Sequence, residues 1–393
     1  MAITTAAVGS FFAGCVGTLM LAVFAAPLTS FALKFGGAEY FSLMVVGLVG
    51  AVSLSSGSTL KAVGMIFLGI LMGVVGTDTN TGTARFTFGE PHLWDGLNFI
   101  VIAVGIFAIG EIIATLEARE QSPSYTSEVG RLMPNREDVR RMIPSILRGT
   151  GIGSILGVLP GAGMSISSFM AYGLERKVSP HRAEMGKGAI EGVAAPEAAN
   201  NAAAQTAFIP TLTLGIPGSA TMALMLGAMI MHSIQPGPQV MVTNPDLFWG
   251  LIVSMWVGNL ILVLLNLPLV GLWVKLLKIP YNALFPAVLV FSCIGVFGSN
   301  YSTFDLYLTA GFGLMGYLLR KLDCEPAPLI LGFILGPMME DNFRRAMVLS
   351  EGDIMTFVNS PISACFLALA VLMLVLMSAP TIRRRRDEIA VED

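Results

Sequence analysis

Glu197, Asn200 and Asn201 stand at i, i+3 and i+4, the spacing that places side chains on one face of an α-helix. They lie in Gly188–Ala207, where nine of 20 residues are alanine. A carboxylate and two carboxamides among small apolar residues cost free energy unless they meet partners, ions or water. Two uses fit that pattern. One is a hydrogen-bonded patch between closely packed helices, and the other is a pathway for a cation or a polar solute. The pathway is the reading carried forward, with these three residues as cation-coupling candidates. Pro196 is expected to open the helix, leaving Glu197 in its first turn.

Two further segments offer backbone rather than side-chain chemistry. Leu156–Gly163 reads LGVLPGAG and Leu214–Thr221 reads LGIPGSAT, each placing Pro-Gly inside an apolar run. Proline lacks an amide and glycine permits positive φ, so a helix breaks at each. The half-helix that follows begins with unpaired amides, and its dipole favours an anion. Two such ends facing one cavity make an anion site, with Pro160, Gly161, Ala162, Gly163, Ser165, Pro217, Gly218, Ser219 and Thr221 as the substrate-binding candidates. Other catalytic constellations are absent from the sequence. The three histidines, His92, His181 and His232, do not pair at helical spacing, and HExxH and G-x-S-x-G are missing. Cys15, Cys293, Cys324 and Cys365 are isolated and lack metal or redox spacing. No catalytic residue, metal or cofactor is therefore assigned.

These residues need elements to hold them, and composition dictates the kind. Apolar residues make up 54% of the 393 and charged residues only 12%, about half the ~25% usual in soluble domains. The chain reads as an all-α polytopic membrane protein. A net charge of −3 leaves no basic face for nucleic acid. Helical spans of about 20 apolar residues are expected at 6–33, 38–55, 60–77, 97–118, 211–234, 247–274, 283–299, 303–319 and 361–380. The stretches 150–175, 188–208 and 326–339 are apolar but broken or rich in small polar residues. The expected total is about 9–11 membrane helices plus re-entrant hairpins.

Lys and Arg set the orientation. Six arginines in 119–149 and the run Arg383–Arg386 place both segments in the cytoplasm, including the C-terminus. Loops 78–96, 235–246 and 299–302 then fall outside, Lys34 is an exception, and 326–360 is left without a side. Segment 150–175 has basic residues on both flanks: arginines precede it, and Arg176, Lys177, Arg182 and Lys187 follow. A re-entrant hairpin with its tip at Pro160–Gly163 keeps both flanks inside. Broken backbone at that depth is tolerated only within protein or beside a water-filled cavity.

The runs GVLPGAG (157–163), GKGAIEGVAAPEAANNAAA (186–204), LTLGIPGSATMALMLG (212–227), QPGP (235–238), RFTFG (85–89) with the preceding Gly-Thr-Asp, and LGPMMEDNFRR (335–345) resemble the large permease subunit of tripartite tricarboxylate transporters. The resemblance extends over essentially the whole chain. It implies a bacterial inner-membrane importer of di- or tricarboxylates, driven by a Na+ or H+ gradient. It also implies two partners, a small membrane subunit and a periplasmic solute-binding protein, and an architecture of two inverted repeats. On that pattern 1–118 ends the first repeat, 119–149 is a basic connector, 150–380 is the second repeat and 381–393 a charged tail. The first repeat's own Pro-Gly segments are expected before Met1, so the chain is expected to be N-terminally shortened. Alternatives are a transporter of another solute, a non-transporting remnant, and an intramembrane enzyme using Glu197 or His232.

Overall fold

The computed structural model describes residues 2–54, 58–78, 81–118, 134–159, 163–269, 272 and 281–378. The fold is all-α and apolar, that of a polytopic membrane protein. Helices α1 (Ala2–Ala32), α2 (Gly37–Leu54) and α3 (Thr59–Gly73) lead to a short antiparallel pair, β1 (Gly76–Thr77) and β2 (Ala84–Arg85). Then come α4 (Phe99–Ala103), a π-turn at Val104–Ile109 and α5 (Gly110–Ala118). Beyond the connector stand α6 (Arg136–Val158), α7 (Gly163–Val178), α8 (Glu191–Thr206), α9 (Phe208–Leu214) and α10 (Ala220–Met231). The chain continues through α11 (Val240–Thr243), α12 (Pro245–Asn266), α13 (Tyr281–Asn300), α14 (Thr303–Lys321), α15 (Pro326–Leu349), α16 (Thr356–Asn359) and α17 (Pro361–Ser378). Among the described helices, Ala2–Ala32, Phe99–Glu117 and Pro245–Asn266 are long and apolar enough to cross a membrane.

The chain divides into two compact units that are not its sequential segments. One joins Met1–Lys34 to Tyr125–Met222 and Ser233–Lys278. The other joins Phe35–Ser124, Ala223–His232 and Ile279–Asp393. The tail 381–393 lies outside the described residues.

In the first unit α8 is the central helix, with α1, α6 and α7 packed around it. Its alanines make that possible. Gly149, Gly153 and Gly157 of α6 meet Ala195, Ala199 and Ala203 of α8 in step, so the two helices run parallel. A Cβ added at Gly153 would stand 2.1 Å from the Ala199 carbonyl oxygen, and one at Gly149 2.2 Å from that of Ala195. Ala13 of α1, Met142 and Ile146 of α6, and Ala194, Ala198 and Ala202 of α8 close a second seam. Lipid tails are as apolar as leucine, so close van der Waals packing of small residues is what holds such helices together.

The α6–α7 pair forms a hairpin whose bases lie together. Ser145 and Arg148 both donate to Glu175, which is fully buried, and Arg141 donates to Glu184 and Glu191. The first arm is longer than expected, because α6 starts within the basic connector. An Asn135–Asp138 capping box begins it: the Asn135 side chain accepts the Asp138 amide at 2.7 Å, and the Asp138 carboxylate accepts the Asn135 amide at 2.9 Å. The start of α8 is a second correction. It begins at Glu191, five residues before Pro196, since Arg141 anchors Glu191 and the Ala189–Ile190 carbonyls accept the first amides. Pro196 is inside the helix.

In the second unit α3 and α15 run parallel. Lys61 donates to the Leu322 carbonyl at 2.6 Å, a Cβ at Gly69 would strike the Leu329 carbonyl, and one at Gly73 that of Phe333. Asp78, after α3, holds Arg344 near the end of α15. The 24 residues of α15 span ~36 Å, more than the ~30 Å hydrocarbon core. Arg344 thus lies at the same end of the α3–α15 pair as Asp78. In a background with the four cysteines replaced by serine, cysteines at Thr81 and Asp353 are expected to label from one side of the membrane. A cysteine at Asp323 is expected to label from the other.

The α6–α8 seam yields a paired test. Gly153→Ala is expected to destabilise the protein by about 1–3 kcal/mol through overpacking. Gly151 has nothing within 4 Å of a built Cβ, so Gly151→Ala is expected to be neutral or slightly stabilising. Thermal unfolding of both variants in detergent measures the difference.

Candidate functional site

The second break, Gly215–Ser219, follows α9 in the first unit and leads into the first residues of α10. Gly215, at φ 73°, ends α9 in the left-handed conformation that glycine adopts without strain. Its amide reaches Thr211 O, and the Ile216 amide turns back to Pro210 O at 3.3 Å. The Thr211 hydroxyl sits between the Ala207 and Ile216 carbonyls, donating at 2.7 and 3.2 Å. Pro217, Gly218 and Ser219 are buried, and Thr221 is exposed at the start of α10. The Ser219 hydroxyl accepts the Met222 amide at 3.3 Å, which makes it a cap of its own helix and leaves its proton free to donate. The QPGP run packs behind the break, with Pro236 O 3.3 Å from a Cβ built at Gly215.

The end of α6, just before the first break, stands beside it. A Cβ built at Gly218 would lie 3.8 Å from Gly157 O in the last turn of α6, and 3.7 Å from Ala207 Cβ. Pro160, Gly161 and Ala162 lie outside the described residues; Gly163 opens α7 and Ser165 is in its first turn. The end of α6, the α8–α9 junction and the second break thus meet in one place.

The polar face of α8 is joined to α1. Ser10 donates to Glu197 Oε1 at 3.0 Å, and Asn201 Nδ2 donates to Ser10 Oγ at 2.8 Å and to Glu197 Oε1 at 3.2 Å. Asn200 is outside this network. It is half-buried, and among the described residues its side chain makes no hydrogen bond. Ser168 of α7 reaches the Pro196 carbonyl, one turn before it, at 3.1 Å. Glu175, Glu184 and Glu191 of this unit each hold an arginine, whereas Glu197 among the described residues meets the Ser10 hydroxyl and the Asn201 carboxamide.

Three features escaped the reading by spacing. Ser10 lies 187 residues from Glu197, and nothing in the α1 sequence marks it. Gln205 continues the Glu197–Asn201 row at i+8, and helical periodicity could have found it. In the second unit, Arg85 forks onto both oxygens of Glu340 at 2.9 and 3.0 Å and also reaches Asp78. Arg344 contacts Asp78 and Glu340 at 3.1 and 2.7 Å. Hydrogen bonds with Glu340 and then Asp78 raise the Arg85 pKa above its ordinary range. These residues belong to the RFTFG and LGPMMEDNFRR runs, so two distant motifs are one ion cluster.

Comparison with known proteins shows the family. The family model described as the tripartite tricarboxylate transporter TctA family matches residues 1–331. An Agrobacterium vitis relative, named as an uncharacterized 52.8 kDa protein in the TAR-I ttuC' 3' region, is 54% identical over 392 residues. That match covers 100% of this chain and 78% of the relative. A second Agrobacterium vitis protein, named as an uncharacterized protein in the TAR-II ttuC' 3' region, is 55% identical over 241 residues. It covers 61% of this chain and 100% of that relative. No solved structure matches. The chain belongs to the tripartite tricarboxylate transporter TctA family and is a transport protein of the membrane.

Proposed function

We propose that the chain is the large permease subunit of a binding-protein-dependent importer of di- or tricarboxylates in a bacterial inner membrane. A cation gradient drives it. A small membrane subunit completes the membrane part, and a periplasmic solute-binding protein delivers the substrate. The single observation that carries this reading is the approach of the second Pro-Gly break to the end of α6, Gly218 beside Gly157. Half-helix N-termini at such breaks offer unpaired amides and positive dipole ends, the chemistry that holds a carboxylate without a fixed cationic side chain. The substrate-contacting set is Pro160–Gly163, Ser165, Pro217–Ser219 and Thr221.

Glu197, Asn200 and Asn201 serve the coupling cation in this reading. Glu197 supplies charge that the unit's arginines leave uncompensated, and the asparagines supply neutral oxygens. The hairpin base, with Arg141, Arg148, Arg176, Lys177, Arg182 and Lys187, faces the cytoplasm, as does the C-terminus. Sequestering basic residues there follows the charge rule for membrane proteins.

Uptake of labelled citrate and succinate into membrane vesicles carrying the complete transporter tests the reading. Uptake is expected to require the binding protein and an imposed cation gradient. Asn201→Ala is expected to lower the initial rate about tenfold at unchanged protein level, the equivalent of one charge-assisted hydrogen bond. Should Asn200→Ala and Asn201→Ala both keep wild-type uptake and cation dependence, the coupling assignment is wrong. Uptake indifferent to any gradient would end the secondary-transport reading itself.

A further inference from the structure

We propose that Phe86, Phe88, Trp94 and Tyr301, exposed aromatics at one end of the second unit, form the docking surface for a soluble protein partner on the non-cytoplasmic side. Its contact face is an apolar pocket with a basic rim. The inference rests on the transport reading above, in which that partner is the solute-binding protein, and adds the surface it meets and the chemistry it presents.

The backbone singles these residues out. Six described residues other than glycine have positive φ, and three of them are Phe86 at 52°, Phe88 at 51° and Tyr301 at 52°. A bulky side chain adopts that conformation only under strain, and such strain gathers at binding sites. Burial of the rings does not offset it. Phe86 is 53% exposed, Phe88 92% and Tyr301 80%, with Trp94 at 53% beside them. Aromatic rings set in solvent on a strained backbone are the kind of anchor that carries protein–protein affinity.

The surrounding structure holds the rings still. Arg85, paired in the β-ladder with Gly76, forks onto Glu340 of α15, and Phe86 stands on the next residue. The Thr77 amide donates to the Trp94 carbonyl at 2.8 Å, which ties the far side of the loop to β1. Stacking of His92 on Phe304, with ring centroids 5.1 Å apart, brings the start of α14 to the same end, and Tyr301 is three residues before Phe304. A surface ordered before contact loses less entropy on binding.

Charge and rigidity select the partner. Segments 78–96 and 299–302 carry one Lys or Arg between them, Arg85, so the charge rule puts both outside. Arg85 is spent on Asp78 and Glu340. The other charged residues of 78–96 are Glu90 and Asp95, both acidic. A second copy of the chain docked about a two-fold axis would bring those like charges together, which is unfavourable. A fluid lipid surface accommodates rings in any geometry and gains nothing from a strained, preset one. A protein pocket of fixed shape does gain, and acidic groups beside the rings call for lysine or arginine around it.

The test uses the complete transporter in nanodiscs and membrane vesicles, titrated with its purified solute-binding protein. Phe86→Gly and Phe88→Gly together remove two rings and relieve the positive-φ strain, so Tm is expected to hold or rise. The half-saturating concentration of binding protein for citrate uptake is expected to rise about tenfold or more, with the maximal rate unchanged. Phe88→Tyr, which keeps a ring, is expected to stay within about twofold of wild type. Asp95→Lys is expected to slow association about tenfold at low salt and to flatten its salt dependence. Glycine variants that leave half-saturation unmoved overturn the proposal, whether they lower Tm, as rings packed within the protein would, or lower only the maximal rate. Should the glycine pair fail to fold, an unchanged association rate for Asp95→Lys overturns it instead. Uptake that needs the binding protein yet ignores these rings sinks this inference and leaves the transport reading standing. Ring-dependent binding of that protein without carboxylate uptake does the reverse.

Discussion

The approach of α6 to α8 through Gly149, Gly153 and Gly157 is the constraint on which the first unit depends. Contact at carbonyl level excludes any side chain larger than hydrogen on one helix and favours alanine on the other. In a bilayer the gain is dispersion and exclusion of lipid, since no hydrophobic difference separates helix from solvent. That packing also solves a polar problem. Helix breaks leave amides and carbonyls unpaired, and lipid cannot satisfy them. With α8 walled by α1, α6 and α7, the break at Gly215–Ser219 is buried against the end of α6 instead of facing lipid.

Charge is distributed around this frame with a consistent logic. Glu175, Glu184 and Glu191 at the hairpin base meet Arg148 and Arg141, and Asp78 and Glu340 of the second unit meet Arg85 and Arg344. Glu175, Glu191 and Asp78 are buried, so their pairs offset a cost of burial within the protein, and removing one partner from a buried pair costs about 3–5 kcal/mol. Glu197 differs. Among the described residues its carboxylate is met by Ser10 and Asn201 rather than by an arginine.

Much of this was legible in the sequence because the bilayer imposes simple rules. The expected spans at 6–33, 38–55, 303–319 and 361–380 match α1, α2, α14 and α17 within a few residues. The 214–221 break followed from proline and glycine alone. Local chemistry misled at Pro196, where proline looked like a helix start, because the Arg141–Glu191 pair that anchors the earlier start is 50 residues apart. The same limit explains Ser10. Spacing reads neighbours on one helix, and it grouped Asn200 with Glu197 and Asn201. The hydrogen bonds join only the i, i+4 pair to a serine from the far end of the chain. The interleaving of the two units has the same origin, as contacts between remote segments leave no mark on either one.

That both breaks line one carboxylate cavity is the central proposal, and substrate protection of introduced cysteines tests it directly. Leu159 ends the first arm and is half-exposed, and Thr221 is exposed at the second break. Each would carry the single cysteine in an otherwise cysteine-free complete transporter, reacted with a maleimide while citrate is titrated. A shared cavity predicts that citrate slows labelling at both positions with the same half-protection concentration. Protection at one position only, or at two clearly different concentrations, would contradict it.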